Sequence, residues 1–338
     1  MQKRGQFEIQ FNWIFVLVAG ALILLFFSVI MLKQKDISEQ TTNQFISRNL
    51  KAIIASAEVS TGTLNFVDLP KVEIEFECNK YRIGSASRRF EIMSVFAPSK
   101  IKSNKMLTWT LAWNLPYRVT NFLYLTSPNI RYILIGDNDL AREINKTLPK
   151  ELNKELVKPI PTEINTIKNK NDHKVRFVFF DTNIENSVIS EFDEMSSDDL
   201  TALKVYDADE DKGTIEFYKK GSTGFMLKGK SHYLKKPSLI GAIFTDNIEM
   251  YDCTVNNAFK KLKIVTEVYE KKSEILRDYY DSQGDNCKNY HDLTSLYNEI
   301  LTASNEFNDA NIAIINTHVD TLEQKNKDAQ LYSCALIY

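Results

Sequence analysis

The chain has 338 residues, with 42 Lys and Arg against 44 Asp and Glu, and a formal net charge of −2 at pH 7. That balance excludes a strongly basic nucleic-acid surface and an acidic tail. With only 11 Gly and 8 Pro, the composition also excludes long flexible linkers and low-complexity tracts.

Residues 1–10 read as a short head. The run from Phe11 to Leu32, FNWIFVLVAGALILLFFSVIML, carries no charge, and Asn12 and Ser28 are its clearly polar members. At the rise of an α-helix it spans about 30 Å, the thickness of a bilayer core. It outlasts the apolar core of a cleavable secretory signal, and no small-x-small site follows it, so it reads as a retained transmembrane anchor. Lys3 and Arg4 precede it and Lys33 and Lys35 follow it, a near balance under the positive-inside rule. The free amino terminus and the shortness of the head place the N-terminus in the cytoplasm. The expectation is a single-pass protein of the cell membrane with its main domain extracytoplasmic.

Lys3-Arg4-Gly5-Gln6 leads straight into the apolar stretch. This resembles the class III signal of archaeal type IV pilin-like membrane proteins, in which a basic-Gly pair precedes a Gln. The resemblance implies processing between Gly5 and Gln6, an apolar helix kept on the mature protein, and partners among other membrane or pilin-like chains, beside the lipid bilayer that the apolar run itself implies. Where that family has Glu at the fifth mature position this chain has Gln10, with Glu8 two residues earlier. The resemblance ends with the apolar run, and a plain, unprocessed signal anchor is the other reading.

Residues 33–60 continue as a helical stalk. Ile46, Leu50, Ile53, Ile54 and Ala57 recur at steps of three and four and make one apolar stripe. From Thr63 the period changes to two. Val72, Ile74 and Phe76 alternate with Glu73, Glu75 and Glu77, the pattern of a half-exposed strand. YRIG, RRFEIMSVFAP, MLTWTLAW and NFLYLTS extend it and predict an antiparallel sheet. RYILIGDNDLAREINKTLPKELNKELV followed by KVRFVFFDT reads as strand, helix, strand, a βαβ unit with a right-handed crossover. LTALKVYDADEDKGTIEFYKKG and GFMLKGKSHYLKK predict β-hairpins, and SLIGAIFT a further apolar strand.

From Asp246 the pattern turns helical. Tyr251, Val255, Phe259, Leu262, Val265, Tyr269, Leu276 and Tyr280 mark one helix face; Leu293, Tyr297, Ile300, Phe307, Ile315, Val319 and Leu322 mark another. With a turn at Ser282–Asn289, these predict an antiparallel helical hairpin, its second helix bent near Ser304–Asn311, and a docked apolar tail. The expected fold class is therefore α+β: a transmembrane helix and stalk, a mixed sheet domain over residues 61–245 with one βαβ unit, and a helical hairpin over residues 246–338.

All four cysteines, Cys78, Cys253, Cys287 and Cys334, lie beyond the anchor, and none forms a CxxC pair. Outside the cytoplasm such a set suggests disulfides. The hairpin brings Cys253 and Cys334 to the same end, as the candidate disulfide pair, and sets Cys253 and Cys287 at opposite ends of one helix, where they should not pair. Asp207, Asp209 and Asp211 alternate like the start of a calcium loop, but Lys212 and Tyr218 stand where an EF-hand needs Gly and Glu, so a hairpin tip is the expectation. His173, His232, His291 and His318 lack metal or catalytic spacing and read as surface residues. Trp109 and Trp113 share one strand face and read as core. Asn145-Lys146-Thr147 is a lone glycosylation sequon.

Gly136-Asp137-Asn138-Asp139 lies where an α/β sheet places its ligands, at the carboxyl end of a strand before a helix. A single Gly makes no phosphate-cradling loop, and Asp137 or Asn138 serves as a helix cap. Asp181, ending KVRFVFFD, faces the same edge and offers a second carboxylate for acid–base work. No catalytic motif, cofactor or metal site is expected. The sequence points to a non-catalytic surface, scaffold or assembly protein; the alternative is a membrane-tethered enzyme or ligand binder using Asp137 and Asp181.

Overall fold

The computed structural model describes residues 5–57, 60–90, 93–170, 172–206, 209 and 211–338. Helix α1 (Gly5–Ala57) is continuous and, at 1.5 Å per residue, about 80 Å long. It has two regimes. Most apolar side chains from Phe15 to Leu32 are exposed, whereas Ile46, Leu50 and Ile54 are buried. The stripe docks on a six-stranded sheet in the order β3-β2-β1-β5-β6-β4. Its strands are β1 (Leu64–Glu77), β2 (Lys80–Ile83), β3 (Ala86–Arg89), β4 (Ser94–Phe96), β5 (Lys100–Asn114) and β6 (Arg118–Thr126). All pairs are antiparallel except β4 with β6. Polar contacts fix the stalk in register: Tyr81 donates its hydroxyl to the Ser47 carbonyl at 2.6 Å, and Arg88 donates to the Ser47 hydroxyl at 3.0 Å.

The second sheet has the order β12-β11-β10-β9-β7-β8. Strand β7 (Ile130–Ile135) leads through α2 (Asp139–Thr147) to β8 (Lys154–Val157), then through α3 (Pro161–Ile164) to β9 (Lys174–Phe180). A 3-10 turn, Asn186–Phe192, carries the chain to β10 (Leu200–Tyr206), and β11 (Lys212–Lys220) and β12 (Phe225–Leu234) follow as hairpins. β8, β7, β9 and β10 are mutually parallel. β7 and β9 are neighbours as the βαβ reading expects, but the helix is shorter: KELV forms the edge strand β8 instead of a last helical turn. Pro149 lies just past the end of α2 and cannot continue it.

SLIGAIFT is not a strand. It belongs to α4 (Lys235–Phe244), which is wedged between the two sheets with Ser238 to Phe244 all buried. A short run buried on every side has the same apolar signature as a strand or a helix. Pro237 falls in the first helical turn, where its missing N–H costs nothing. Gly241 lets the helix approach: a Cβ there would meet the Phe96 ring at 2.7 Å.

Helices α5 (Ile248–Ser282), α6 (Lys288–His291), α7 (Thr294–Ala303) and α8 (Asp309–Leu331) complete the chain. In place of a bent second helix there is a full reversal. α7 runs antiparallel to α5, with Arg277 near Thr294 and Lys263 near Asn305. α8 reverses again, and its His318 contacts Glu299 at 2.7 Å. Asn308 caps α8 by accepting from the Asn311 N–H at 2.9 Å, which makes SNEFN a stop and a new start. The tail packs back on α5, where Lys272 donates to the Ile337 carbonyl at 2.7 Å.

This third pass corrects the expected cysteine pairing. The chain end arrives at the α5–α6 turn, far from the start of α5, so Cys334 bonds Cys287 and not Cys253. Cys253 instead bonds Cys78 at the β1–β2 turn and ties the first sheet to α5.

Candidate functional site

The parallel strands follow the spatial order second-first-third-fourth. β7 sends its crossover α2 outward to β8 on one face of the sheet, where Leu140, Ala141 and Ile144 join the central core. β9 sends its 3-10 crossover to β10 on the other face, where Val188, Ile189 and Phe192 join a separate core. The two connections diverge between β7 and β9, and the carboxyl ends of strands at such a divergence are the usual ligand position in these sheets. The site thus comprises the loops after Ile135 and after Phe180.

Gly136 is required by close approach, since a Cβ would lie 2.9 Å from the Phe180 Cβ and 3.1 Å from the Ala141 Cβ. Asp181 adopts a left-handed backbone with φ of 47° and donates its N–H to the Val205 carbonyl at 2.9 Å. Asn138 joins the loops. Its Oδ1 accepts from the Ala141 N–H at 2.8 Å and caps α2, while its Nδ2 donates to Asp181 Oδ2 at 2.8 Å. The Asp181 carboxylate is therefore oriented by an amide from the opposite loop. Asp137 and Asp181 are both exposed. Asp137 and Asp139 flank the α2 N-terminus and oppose a phosphate there.

Asp181, Thr182, Asn183, Lys204 and Tyr206 line an open cleft of about 380 Å³. The Lys204 ammonium lies 5.5 Å from the Tyr206 ring centroid. The neighbouring surface is a chain of charge-assisted bonds: Lys230 pairs with Glu216 at 2.6 Å, and Tyr218 donates to Glu216 at 2.6 Å. Burial works against ionisation of Glu216, but the bonds from Lys230 and Tyr218 outweigh it and hold the carboxyl below its usual range. The cleft offers a carboxylate, an amide, two hydroxyls and an ammonium, a set suited to hydrogen-bonding a polar ligand.

Of the calcium candidates, Asp207 lies outside the described residues. Asp209 accepts the N–H groups of Asp211 and Lys212, both at 2.7 Å, and closes the β10–β11 tip as an Asx turn. Asp211 is paired with Lys235 at 2.9 Å. Among the described residues no group of three His, Cys, Asp or Glu is placed to hold a metal ion. The surface reading of the histidines holds only for His173. His291 is buried in a stack on Tyr280 at 5.4 Å between centroids, and His232 and His318 are half-buried. Trp109 and Trp113 are both core, and the Trp113 indole donates to the Leu234 carbonyl at 2.9 Å. Asn145 is half-buried in α2. Gly5 begins helix α1 as it is described, and Gln6 follows within it.

Sequence reasoning overlooked a buried polar junction between the sheets. Lys174, Arg176 and Asp246 are all nearly inaccessible. Lys174 and Asp246 form an ion pair, and Asp246 also accepts from the Ser99 N–H at 2.8 Å and the Ser99 hydroxyl at 3.1 Å. Arg176 donates to the carbonyls of Ala202 at 3.1 Å, Ala242 at 3.0 Å and Thr245 at 2.8 Å, and so caps the end of α4. Burial lowers its pKa to about 10, against the field of Asp246, and it remains a cation at neutral pH. A signal was available: in KVRFVFFD two cations stand at i and i+2 of an otherwise apolar strand, one face of a buried sheet.

No protein-family model, curated protein or solved structure matches the chain.

Proposed function

We propose that this chain is a single-pass membrane protein with an extracytoplasmic α+β domain and a non-catalytic surface, scaffold or assembly role of pilin-like type. The observation that carries the reading is the division of α1. Its N-terminal half presents apolar side chains to the surroundings, Phe15 at 73% and Leu24 at 71% exposure, while its C-terminal half is bound into the domain by Ile46, Leu50 and Ile54. Exposed apolar surface on this scale needs a bilayer or neighbouring apolar helices around it. Among the described residues one helical span, Phe15–Ser56, is long and apolar enough to cross a membrane. The pairing of all four cysteines supports an oxidising compartment for the domain. Processing between Gly5 and Gln6 would leave the anchor intact, as assembly of pilin-like subunits requires.

A second reading has one observation in its favour, the open cleft at the carboxyl ends of β9 and β10, lined by Asp181, whose carboxylate is oriented by Asn138. In that reading the domain binds a small polar ligand. The first reading is tested by where the domain lies and what its N-terminus is. Protease added to intact cells is expected to digest the domain, and mass spectrometry of the membrane-extracted protein is expected to find Gln6 at the N-terminus. Protection of the domain until lysis refutes the topology, and an intact Met1 refutes the pilin-like processing.

A further inference from the structure

We infer that the cleft at the carboxyl ends of β9 and β10 binds a small zwitterion, a free amino acid, with its ammonium on Asp181 and its carboxylate on Lys204. The inference rests on the second reading, in which this cleft holds a small polar ligand, and it names the charge pattern of that ligand.

Strand register builds the pair. Phe177 and Phe179 of β9, with Leu200 and Ala202 of β10, face the core under the 3-10 crossover. Lys204 and Tyr206 continue the β10 row on that face at steps of two. Lys204 is in register with Phe179, and Asp181 follows two residues later. Strand spacing and rise then set the two Cα atoms about 8 Å apart, which leaves room for a small molecule between the carboxylate and the longer ammonium arm.

These groups are uncommitted. Asp181 accepts from the Asn138 amide through Oδ2 at 2.8 Å, which leaves Oδ1 open to a ligand. Among the described residues nothing hydrogen-bonds the side chains of Thr182, Asn183 or Lys204, which share the cleft. Glu216, the cross-strand neighbour of Lys204, is taken by Lys230 and by Tyr218, each at 2.6 Å.

Charge then selects the ligand class. Glu216 and Lys230 cancel as a pair, so the described lining is left with one carboxylate, Asp181, and one ammonium, Lys204. A plain anion or a plain cation meets repulsion from one of them, whereas a zwitterion meets each with its opposite. Asp137 and Asp139 add negative charge beside Asn138, with Asp139 paired to Arg142 at 2.7 Å, and set the ligand's ammonium on the Asp181 side. The open Oδ1 is an acceptor, so the ligand cation must carry N–H donors. Among the described residues no Val, Leu, Ile, Met or Phe lines the cleft, so charge and hydrogen bonds hold the ligand. The Tyr206 ring is engaged by Lys204 at 5.5 Å and Lys230 at 5.7 Å and is not left as a stacking platform for a sugar.

The test is saturation-transfer NMR on the full-length protein in nanodiscs, with the proteinogenic amino acids as probes beside glycine betaine, neutral sugars and simple dicarboxylates. At least one amino acid is expected to bind, and betaine, which lacks N–H donors, is not. The N-acetyl form of the bound amino acid lacks the cation and its amide lacks the anion. Each should bind about tenfold more weakly, the scale of one charge-assisted hydrogen bond. Asp181→Asn and Lys204→Met should each cost a similar factor, and Lys260→Met, at an exposed position of α5, should cost nothing. Asn138→Asp keeps an acceptor for the Ala141 N–H but removes the amide that orients Asp181, so it should weaken binding while the circular dichroism stays that of the parent. Binding of a sugar or dicarboxylate and of no amino acid overturns the inference and leaves the second reading standing. Equal binding of the N-acetyl form, the amide or betaine overturns it, as does amino-acid binding that survives both Asp181→Asn and Lys204→Met. Binding of no probe overturns the inference and the second reading together.

Discussion

Replacing Asp246 by Ala tests the buried junction on which the two sheets meet. The side chain is 5% exposed and Lys174 is 4% exposed. The substitution removes the only carboxylate described in contact with Lys174 and the acceptor of both Ser99 bonds. Breaking a buried pair by deleting one partner costs about 3–5 kcal/mol, because the remaining cation is left without compensation. Arg176 keeps its three carbonyls but loses the field of Asp246. Equilibrium urea unfolding followed by Trp fluorescence should show that loss, since Trp109 and Trp113 lie in the adjoining core. Adding Lys174→Met should restore part of it, because an apolar side chain replaces the stranded ammonium. Acid dependence has a definite sign. Burial alone raises the Asp246 pKa, but the charge and hydrogen bond of Lys174 and the Ser99 N–H outweigh it and hold the carboxyl below its usual range. The stabilisation is complete above an unfolded carboxylate pKa of about 4 and is lost as pH falls through the lower folded value. The difference between Asp246→Ala and the parent should therefore shrink in acid. A loss under about 1 kcal/mol at neutral pH, or a double variant no better than the single one, would refute the junction as described.

Non-reducing peptide mapping should find Cys78 linked to Cys253 and Cys287 linked to Cys334; a Cys253–Cys334 peptide would contradict the third helical pass. Closing a loop with a separation of 47 residues constrains the unfolded chain by roughly 4 kcal/mol, so Cys287→Ser with Cys334→Ser should loosen α8 and its tail by up to that amount in hydrogen exchange. His291 has no hydrogen-bond partner at either ring nitrogen, and burial, then the charge of Lys272, lowers its pKa. The unfolded chain binds a proton that the folded one refuses, so stability should fall as pH drops below about 6.5, and His291→Phe should flatten that limb of the Tm–pH curve.

Local chemistry marks what was legible in the sequence. The uncharged run after Phe11, the alternation of Val72 to Glu77 and the stripe of Ile46, Leu50 and Ile54 each follow from a period imposed by the backbone, and a period survives in one dimension. Gly136 and Asp181 were placed at one sheet edge by the βαβ pattern alone. What lay out of reach was every feature made by elements distant in the chain. Whether SLIGAIFT becomes helix or strand depends on the space between two sheets, because an apolar run buried on all sides has no period to display. That Asn138 and not Asp137 addresses Asp181 depends on how two loops meet. The cysteine partners turned on one reversal at Asn308: the sequence signalled that α7 weakens there, but the direction the chain takes afterwards is decided by which apolar faces of α5, α7 and α8 must be buried together. Single-sequence patterns report which faces seek burial; only packing in three dimensions decides what buries them.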